Sequence, residues 1–362
     1  MKIALLVGAR PNYMKVGPIH DALARWPEPP EQLLIHTGQH YDEKMSDAFF
    51  RDLELPRPDV ALGVGSGTHA EQTAKVMLAL EPVLLEHRPD VLVVVGDVNS
   101  TLAGALTAVK LGIRTAHVEA GLRSRDRAMP EEINRIATDA ISDLFLTTCR
   151  EAGANLLAEG HSPEKIHFVG NTMIDSLTRF LPKAEASGIL TELGLAPREY
   201  LCVTLHRPSN VDDENKLRQL LETLQAAAEQ TPVVFPAHPR TQQRMQALGW
   251  SLPEDGRFRV LEPLGYLDFL RLMSAAAVVI TDSGGIQEET SYLGIPCLTV
   301  RENTERPVTV TEGTNRLVAC AKPAILEALA DAAARIDRPA PRIELWDGKA
   351  GERIADVLLS RG

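Results

Sequence analysis

The chain has 362 residues, a length that suits two domains better than one. With 44% hydrophobic, 24% charged and only 4% aromatic residues it has ample core material, but that material is aliphatic, as in helix-on-sheet packing. A formal net charge of -11 gives no long-range attraction to a polyphosphate backbone, which argues against nucleic-acid binding, and no apolar run reaches the roughly 18 residues of a membrane span.

The N-terminal run Met1 to Gly8 reads as a first strand, broken too soon for a signal peptide. Short apolar runs then recur at 32–36, 91–95, 115–118, 144–147 and 166–169, and in the second half at 200–205, 233–236, 258–261, 277–281 and 296–300. Continuous apolar strands alternating with helical patterns predict parallel sheets covered on both faces. After Pro130 an apolar stripe of Ile133, Ile136, Ala137, Ala140, Ile141 and Leu144 predicts a helix with its core face along those residues. After Asn210 the stripe is Leu217, Leu220, Leu221, Leu224 and Ala228, with Asn210 or Asp212 as its cap. The stretch 171–198 separates the two sets of strands. It places the boundary near Phe180, giving a first Rossmann-like domain over 1–180 and a second over 181–347, with a helix at about 348–362 packing back onto the first. Cys149, Cys202, Cys297 and Cys320 form no C-x-x-C pair and read as reduced core residues of a cytoplasmic protein.

Doubly wound sheets bind ligands at the carboxyl ends of their strands, so the informative residues lie just after strands, in one cleft if the two domains face each other. The first strand runs into a turn and helix with Arg10 and Lys15, two cations at an anion-binding helix start, or else solvated surface charge. No G-x-G-x-x-G is present, so dinucleotide binding lacks its fingerprint. Gly63-Val64-Gly65-Ser66-Gly67 follows no clear strand and reads as a flexible loop. Asp97 follows the Val91–Val95 run, a position that serves catalysis or caps the next helix. Glu119 ends the next strand, and Glu131 and Glu132 lie in the first turn after Pro130, where they either complement the helix dipole or divide acid and base roles with Glu119. His36 and His40 fall in a strand and loop, which argues against a metal pair.

In the second half His206 follows a buried strand, placed for phosphate contact or proton transfer, and His238 ends another strand. Thr281-Asp282-Ser283-Gly284-Gly285-Ile286-Gln287-Glu288-Glu289 is a strand, turn and helix start. There Ser283 can cap, Gly284 and Gly285 let a diphosphate approach the backbone, and Glu289 can accept ribose hydroxyl protons. Arg306 is a further phosphate or sugar contact, or surface charge.

Together these segments closely resemble the non-hydrolysing UDP-N-acetylglucosamine 2-epimerases over nearly the whole chain. The shared motifs include Gly8-Ala9-Arg10-Pro11 with Lys15, Thr37-Gly38-Gln39-His40, Gly96-Asp97, His117-Val118-Glu119-Ala120-Gly121-Leu122-Arg123, Pro130-Glu131-Glu132-Ile133-Asn134-Arg135, the Thr281–Glu289 run, Thr304-Glu305-Arg306-Pro307 and Trp346-Asp347-Gly348-Lys349. The resemblance implies an α/β fold of two Rossmann-like, GT-B-like domains with the site in the interdomain cleft. It implies a homodimer, no metal and no other cofactor, a UDP-sugar as partner, and a place in cell-surface polysaccharide biosynthesis. The implied reaction removes the C2 proton, expels UDP from C1 to leave a 2-acetamidoglucal, and adds UDP back with a proton on the opposite face.

By the same resemblance the catalytic groups are Asp97, Glu119, Glu131 and His206. Substrate is held by Arg10, Lys15, Phe269, Ser283, Gly284, Gly285, Glu289 and Arg306. The chain departs from many relatives at Pro208 and Ser209, and at Leu264 near the uracil. Of a second, activating substrate site Gln39, Gln72 and His238 match, whereas Asp42 and Glu71 stand where relatives carry Gln and Arg. Glu71 beside a diphosphate is repulsive, so activation is expected to be weak or absent. The alternatives are a 2-epimerase of a UDP-2,3-diacetamido uronic acid, a GT-B glycosyltransferase, a hydrolysing epimerase and a nucleotide-sugar sensor.

Overall fold

The computed structural model describes residues 1–8, 10–38, 56–253, 255–336 and 339–360. The chain divides into two compact units, Met1–Arg179 with Glu344–Gly362, and Phe180–Ile343.

The first unit is built on β1 (Lys2–Val7), β2 (Glu31–His36), β3 (Val60–Ala61), β4 (Val91–Val95), β5 (Arg114–Val118), β6 (Leu144–Thr147) and β7 (Ile166–Phe168). Their order is β3-β2-β1-β4-β5-β6-β7, and every pairing is parallel. Each residue of β4 is buried, as a strand covered on both faces requires. On one face Leu6, Leu92 and Val94 pack with Leu80 and Leu84 of the helix His69–His87 and with Ala105 and Ala108 of the helix Asn99–Lys110. The Gly63–Gly67 loop does follow a strand, β3, which at two residues is too short to leave a periodicity.

The helix Pro130–Ile141 forms, but its burial is inverted from the sequence expectation. Ile133 is 38% exposed, whereas Glu132, Asn134, Arg135, Thr138 and Asp139 are buried, and Leu144 belongs to β6 rather than to the helix. Polar side chains occupy the inner face because partners meet them there: Glu132, Asn134, Arg135 and Asp139 bond to β5 and to the segments that follow β4 and β5.

The segment Glu344–Gly362 belongs to the first unit. Its helix Ala350–Leu359 packs on the helix Arg10–Ala24. Asp175 accepts the amides of Ala350 and Gly351 at 3.1 and 2.7 Å, and burial raises its carboxyl to about 6. Trp346 is buried, and its Nε1 donates to the Thr148 carbonyl at 3.0 Å.

The second unit carries β8 (Leu201–Thr204), β9 (Val233–Pro236), β10 (Phe258–Leu261), β11 (Val278–Thr281), β12 (Cys297–Val300) and β13 (Asn315–Val318), in the order β10-β9-β8-β11-β12-β13 and again parallel. β13 was not among the expected strands, because Asn315 and Arg316 break its apolar run. Leu217, Leu220, Leu221 and Leu224 of the helix Glu214–Ala228 are buried in this core. Neither Asn210 nor Asp212 caps that helix. Asp213 does, accepting the amides of Asn215 and Lys216 at 3.0 and 3.1 Å, while Asn210 lies in a separate turn, Pro208–Val211. Three cysteines are buried and Cys320 is half-buried, all as free thiols.

Replacing Trp346 by Ala is expected to destabilise the first unit by about 3–5 kcal/mol in urea unfolding, the cost of emptying an aromatic site. Trp346→Phe retains most of the packing and loses about 1–3 kcal/mol for the orphaned Thr148 carbonyl.

Candidate active site

Strand order reverses between β1 and β4 in the first sheet and between β8 and β11 in the second. Next to such points the strand-end loops diverge and leave room for a ligand. The sequence-predicted residues fall at both.

In the first unit Lys15 extends from the helix after β1, and its Nζ donates to Glu119 Oε2 at the end of β5. Both side chains are buried. Gly96, directly after β4, lies beneath them at φ +68°, and a Cβ there would stand 3.0 Å from Lys15 Nζ and 3.3 Å from Glu119 Oε2. The pair therefore depends on glycine at this turn. Glu119 is at φ +70°, a left-handed backbone that costs a side-chain-bearing residue roughly 1–2 kcal/mol.

Asp97 follows Gly96. Its Oδ2 accepts Arg135 Nη2 at 2.7 Å and Nε at 3.1 Å, and the carboxylate remains 24% exposed. Arg135 also pairs with Glu132 at 2.5 Å, and Glu132 accepts the Ser124 amide, the Ser124 hydroxyl and the Arg125 amide. Glu131 is half-buried in the first turn of the same helix. Arg10 opens the first helix, and its side chain lies outside the described residues. Sequence reasoning did not assign Arg135. Its signals were its place at the end of the Pro130–Arg135 motif and one helical turn after Glu131 and Glu132.

Near the remaining candidates of this unit, Gln72 is buried, donating to the Gly65 carbonyl at 3.3 Å and accepting from Asn99 at 2.7 Å. Glu71 closes a capping box with Thr68. Gln39 and Asp42 lie outside the described residues.

In the second unit the organising group is Asp282, which sequence reasoning had only as part of a motif. Wholly buried, it accepts the amides of His206 and Arg207 and the Asn210 side chain at 2.9 to 3.1 Å, and it pairs with His206 Nδ1 at 3.0 Å. Burial opposes its ionisation, but these partners, His206 first, hold it below the usual carboxylate range. The His206 side chain is half-exposed, with Nδ1 committed to Asp282. Asn210 also bonds the Val300 carbonyl at 3.1 Å, tying this turn to β12.

The helix Gly284–Leu293 starts beside this turn. Ser283 occupies its cap position, but its side chain makes no capping bond, so the first amides are not satisfied by it. A Cβ on Gly284 would come 2.5 Å from Arg306 Nη1 and 2.6 Å from Glu305 Oε1, so glycine admits Arg306 against the helix start. Arg306 is itself buried and paired with Glu305 and, at 2.9 Å, with Glu288. Gly285 is half-buried in the first turn. Glu289 is buried one turn further on. Burial and the neighbouring Glu288 charge raise its carboxyl to about 8, opposed by the Tyr266 hydroxyl. Phe269, half-buried, lies on the helix Tyr266–Ser274 that packs on this one. His238 is exposed and caps the helix Pro239–Ala247, its Nδ1 accepting the Arg240 amide at 3.3 Å. No cluster of metal-ligating side chains occurs among the described residues.

Two doubly wound parallel sheets, one ringed by paired carboxylates and the other offering a glycine-rich helix start, define a GT-B-like enzyme of nucleotide-sugar chemistry. The comparisons with known proteins agree. The profile of the UDP-N-acetylglucosamine 2-epimerase family matches residues 27–359. The UDP-N-acetylglucosamine 2-epimerase of Methanocaldococcus jannaschii is 42% identical over 374 residues, covering 99% of each chain. A crystal structure of the Methanocaldococcus jannaschii UDP-GlcNAc 2-epimerase with UDP-GlcNAc and UDP superposes with a TM-score of 0.90 over 100% of both chains, at 42% identity. The Pseudomonas aeruginosa UDP-2,3-diacetamido-2,3-dideoxy-D-glucuronate 2-epimerase is 39% identical over 362 residues, covering 99% of each. The chain belongs to the UDP-N-acetylglucosamine 2-epimerase family.

Because Glu289 titrates near 8 in the folded chain against 4.5 for a glutamate in water, the native state keeps a proton that the unfolded chain releases. Stability should therefore fall as pH rises through that interval. Urea unfolding at about pH 5 and about pH 8 is expected to show a smaller fall in Glu289→Gln, by on the order of a few kcal/mol.

Proposed function

We propose that the protein interconverts UDP-N-acetylglucosamine and UDP-N-acetylmannosamine by inverting C2 without hydrolysing the nucleotide. The observation that carries this is the set of paired acids at the first unit's switch point, Glu119 with Lys15 and Asp97 with Arg135. A base among Asp97, Glu119 and Glu131 takes the C2 proton as the C1–O bond breaks, and UDP leaves with the bonding electrons. The 2-acetamidoglucal that remains takes UDP back at C1 while a second acid protonates C2 on the other face. Opposed acid and base roles need separately held groups, and Glu119 beside Lys15 and Asp97 beside Arg135 are held by different partners.

The second unit holds the leaving UDP. The N-terminal amides and positive end of the helix Gly284–Leu293, with Ser283, Gly284 and Gly285, face the diphosphate, and His206 supplies a further donor. Stabilising this anion lowers the barrier more than the weakly acidic C2–H could allow by itself. Glu289 takes the ribose hydroxyls and Phe269 flanks the uracil, with Arg306 positioned behind the helix start and Arg10 near the sugar diphosphate. The route is redox-neutral and draws on this chain's own side chains and backbone amides, with no cofactor. The two Methanocaldococcus and Methanococcus relatives named for UDP-N-acetylglucosamine, each 42% identical, favour that substrate over the diacetamido uronate at 39%.

The same reading makes the enzyme a cytoplasmic homodimer feeding cell-surface polysaccharide synthesis. Support for a dimer lies on the helices His69–His87, Asn99–Lys110 and Pro130–Ile141, which pack side by side and present Leu78 (73% exposed), Leu85, Val109 and Ile133 to solvent. Apolar groups of this size in one helix layer favour a protein partner. No helix among the described residues is long and apolar enough to cross a membrane.

Incubated in deuterated water with UDP-N-acetylglucosamine and no acceptor, the protein should yield UDP-N-acetylmannosamine labelled at C2. Free UDP would mark a hydrolase, and no label a transferase or sensor. Asp97→Asn, Glu119→Gln and Glu131→Gln should each lower kcat by about 100-fold or more, and near-wild-type turnover would remove that residue from the mechanism. The double variant Leu78→Asp/Leu85→Asp should sediment as a monomer, and an unaltered dimer would move the interface elsewhere.

A further inference from the structure

The buried charges around Glu119 have an anchor that the reaction scheme does not use. His117 and Asp139 are wholly buried. His117 Nδ1 meets Asp139 Oδ1 at 2.6 Å, and Nε2 meets the Gly96 carbonyl at 2.8 Å. A carbonyl only accepts, so Nε2 carries a proton and donates it to Gly96. The other oxygen of Asp139 accepts the Gly121 amide at 3.0 Å and pairs with Arg123 at 2.8 Å. Asp139 thus grips the chain two residues before and two residues after Glu119. Between those grips Glu119 holds its left-handed φ of +70°, and its amide donates to the Leu146 carbonyl at 3.0 Å. A non-glycine residue keeps such a conformation only where its surroundings over-determine it. Burial disfavours the charge on Asp139, but His117 and Arg123 hold the group below the usual carboxylate range, so it stays an acceptor for all three partners.

We infer that Asp139 is a positioning residue for the epimerisation: through His117 and the Gly121 amide it fixes the backbone of Glu119 that sets the carboxylate against Lys15, and through the His117 ring it fixes the Gly96 turn that leads to Asp97. This rests on the proposed role of Glu119 in proton transfer at C2. Asp139 touches no reacting atom. Its effect is on where the proton-transfer group points, so it acts on kcat and leaves the second unit's contacts to UDP unchanged.

The test uses the full chain and reads C2 deuterium exchange, steady-state kinetics and UDP affinity by calorimetry. Two histidine variants separate the arms. His117→Asn places an amide where Nδ1 was and keeps the Asp139 arm, whereas His117→Gln places one where Nε2 was and keeps only the Gly96 arm. Asp139→Asn and His117→Gln should lower kcat by about 100-fold, the penalty for displacing a reacting group by about 1 Å, with KM and the UDP Kd within about twofold. His117→Asn should recover most of that loss. The inference is overturned if Asp139→Asn turns over within about threefold of wild type, if KM rises in step with the fall in kcat, or if His117→Asn is no better than His117→Gln. Should Asp139→Asn fail to fold, the histidine pair decides alone. A wild type that exchanges no deuterium sinks the epimerase reading itself and the inference with it, a result distinct from active wild type with unimpaired variants.

Discussion

A charged side chain buried at the end of a parallel strand survives only beside an opposite charge, because an unpaired ion out of water is far more costly than any packing it could gain. The first unit meets that constraint several times within one loop cluster. Lys15 pairs with Glu119, Arg135 with Asp97 and Glu132, and His117 and Arg123 with Asp139. Lys15 belongs to the element after β1, Asp97 to the end of β4, Glu119 to the end of β5, and Arg135 and Asp139 to the helix that follows, so the Lys15–Glu119, Arg135–Asp97 and His117–Asp139 pairs lock segments that are distant in sequence. The network that lets these charges be buried also orients the acids to which the proposed reaction assigns proton transfer. Removing one partner leaves the other uncompensated, so in this cluster stability and function cannot be altered independently.

The second unit solves a different problem with the same topology. The acceptor capacity of one buried carboxylate, Asp282, goes to the turn after β8, fixing the half-exposed His206 beside a helix start whose first amides the Ser283 side chain does not cap. Free helical amides and an oriented imidazole suit a diphosphate. The cations expected at this site are arranged less simply. Arg306 is sunk between Glu288 and Glu305 behind Gly284, which makes it a brace for the helix start.

Much of this was legible in the sequence, and the limits are instructive. Continuous apolar runs such as Val91–Val95 and Val278–Thr281 announced parallel strands because burial on both faces leaves no room for alternation. β3 and β13 were missed because one has two residues and the other opens with Asn315 and Arg316. The helix after Pro130 was legible, but its inward face was not. Periodicity assumes that apolar residues point inward, and here Glu132, Arg135 and Asp139 do so because strand-end partners await them. Local spacing located Glu119 and Asp282 after their strands. It could not show that Lys15 reaches across 104 positions to Glu119, or that Asn210, read as a helix cap, instead ties Asp282 to Val300. Pairings of that kind are properties of the folded sheet order, not of any window of sequence.

The proposed reaction cleaves and re-forms the C1–O bond while UDP remains bound. The most direct measurement is positional isotope exchange in UDP-N-acetylglucosamine carrying heavy oxygen at the bridge between C1 and the β-phosphorus. Elimination frees that oxygen to rotate among the equivalent β-phosphate positions before UDP adds back, so the label should scramble into non-bridging positions in recovered substrate and in UDP-N-acetylmannosamine alike. Product formed with the label still wholly at the bridge, under conditions where the β-phosphate can turn, would contradict it.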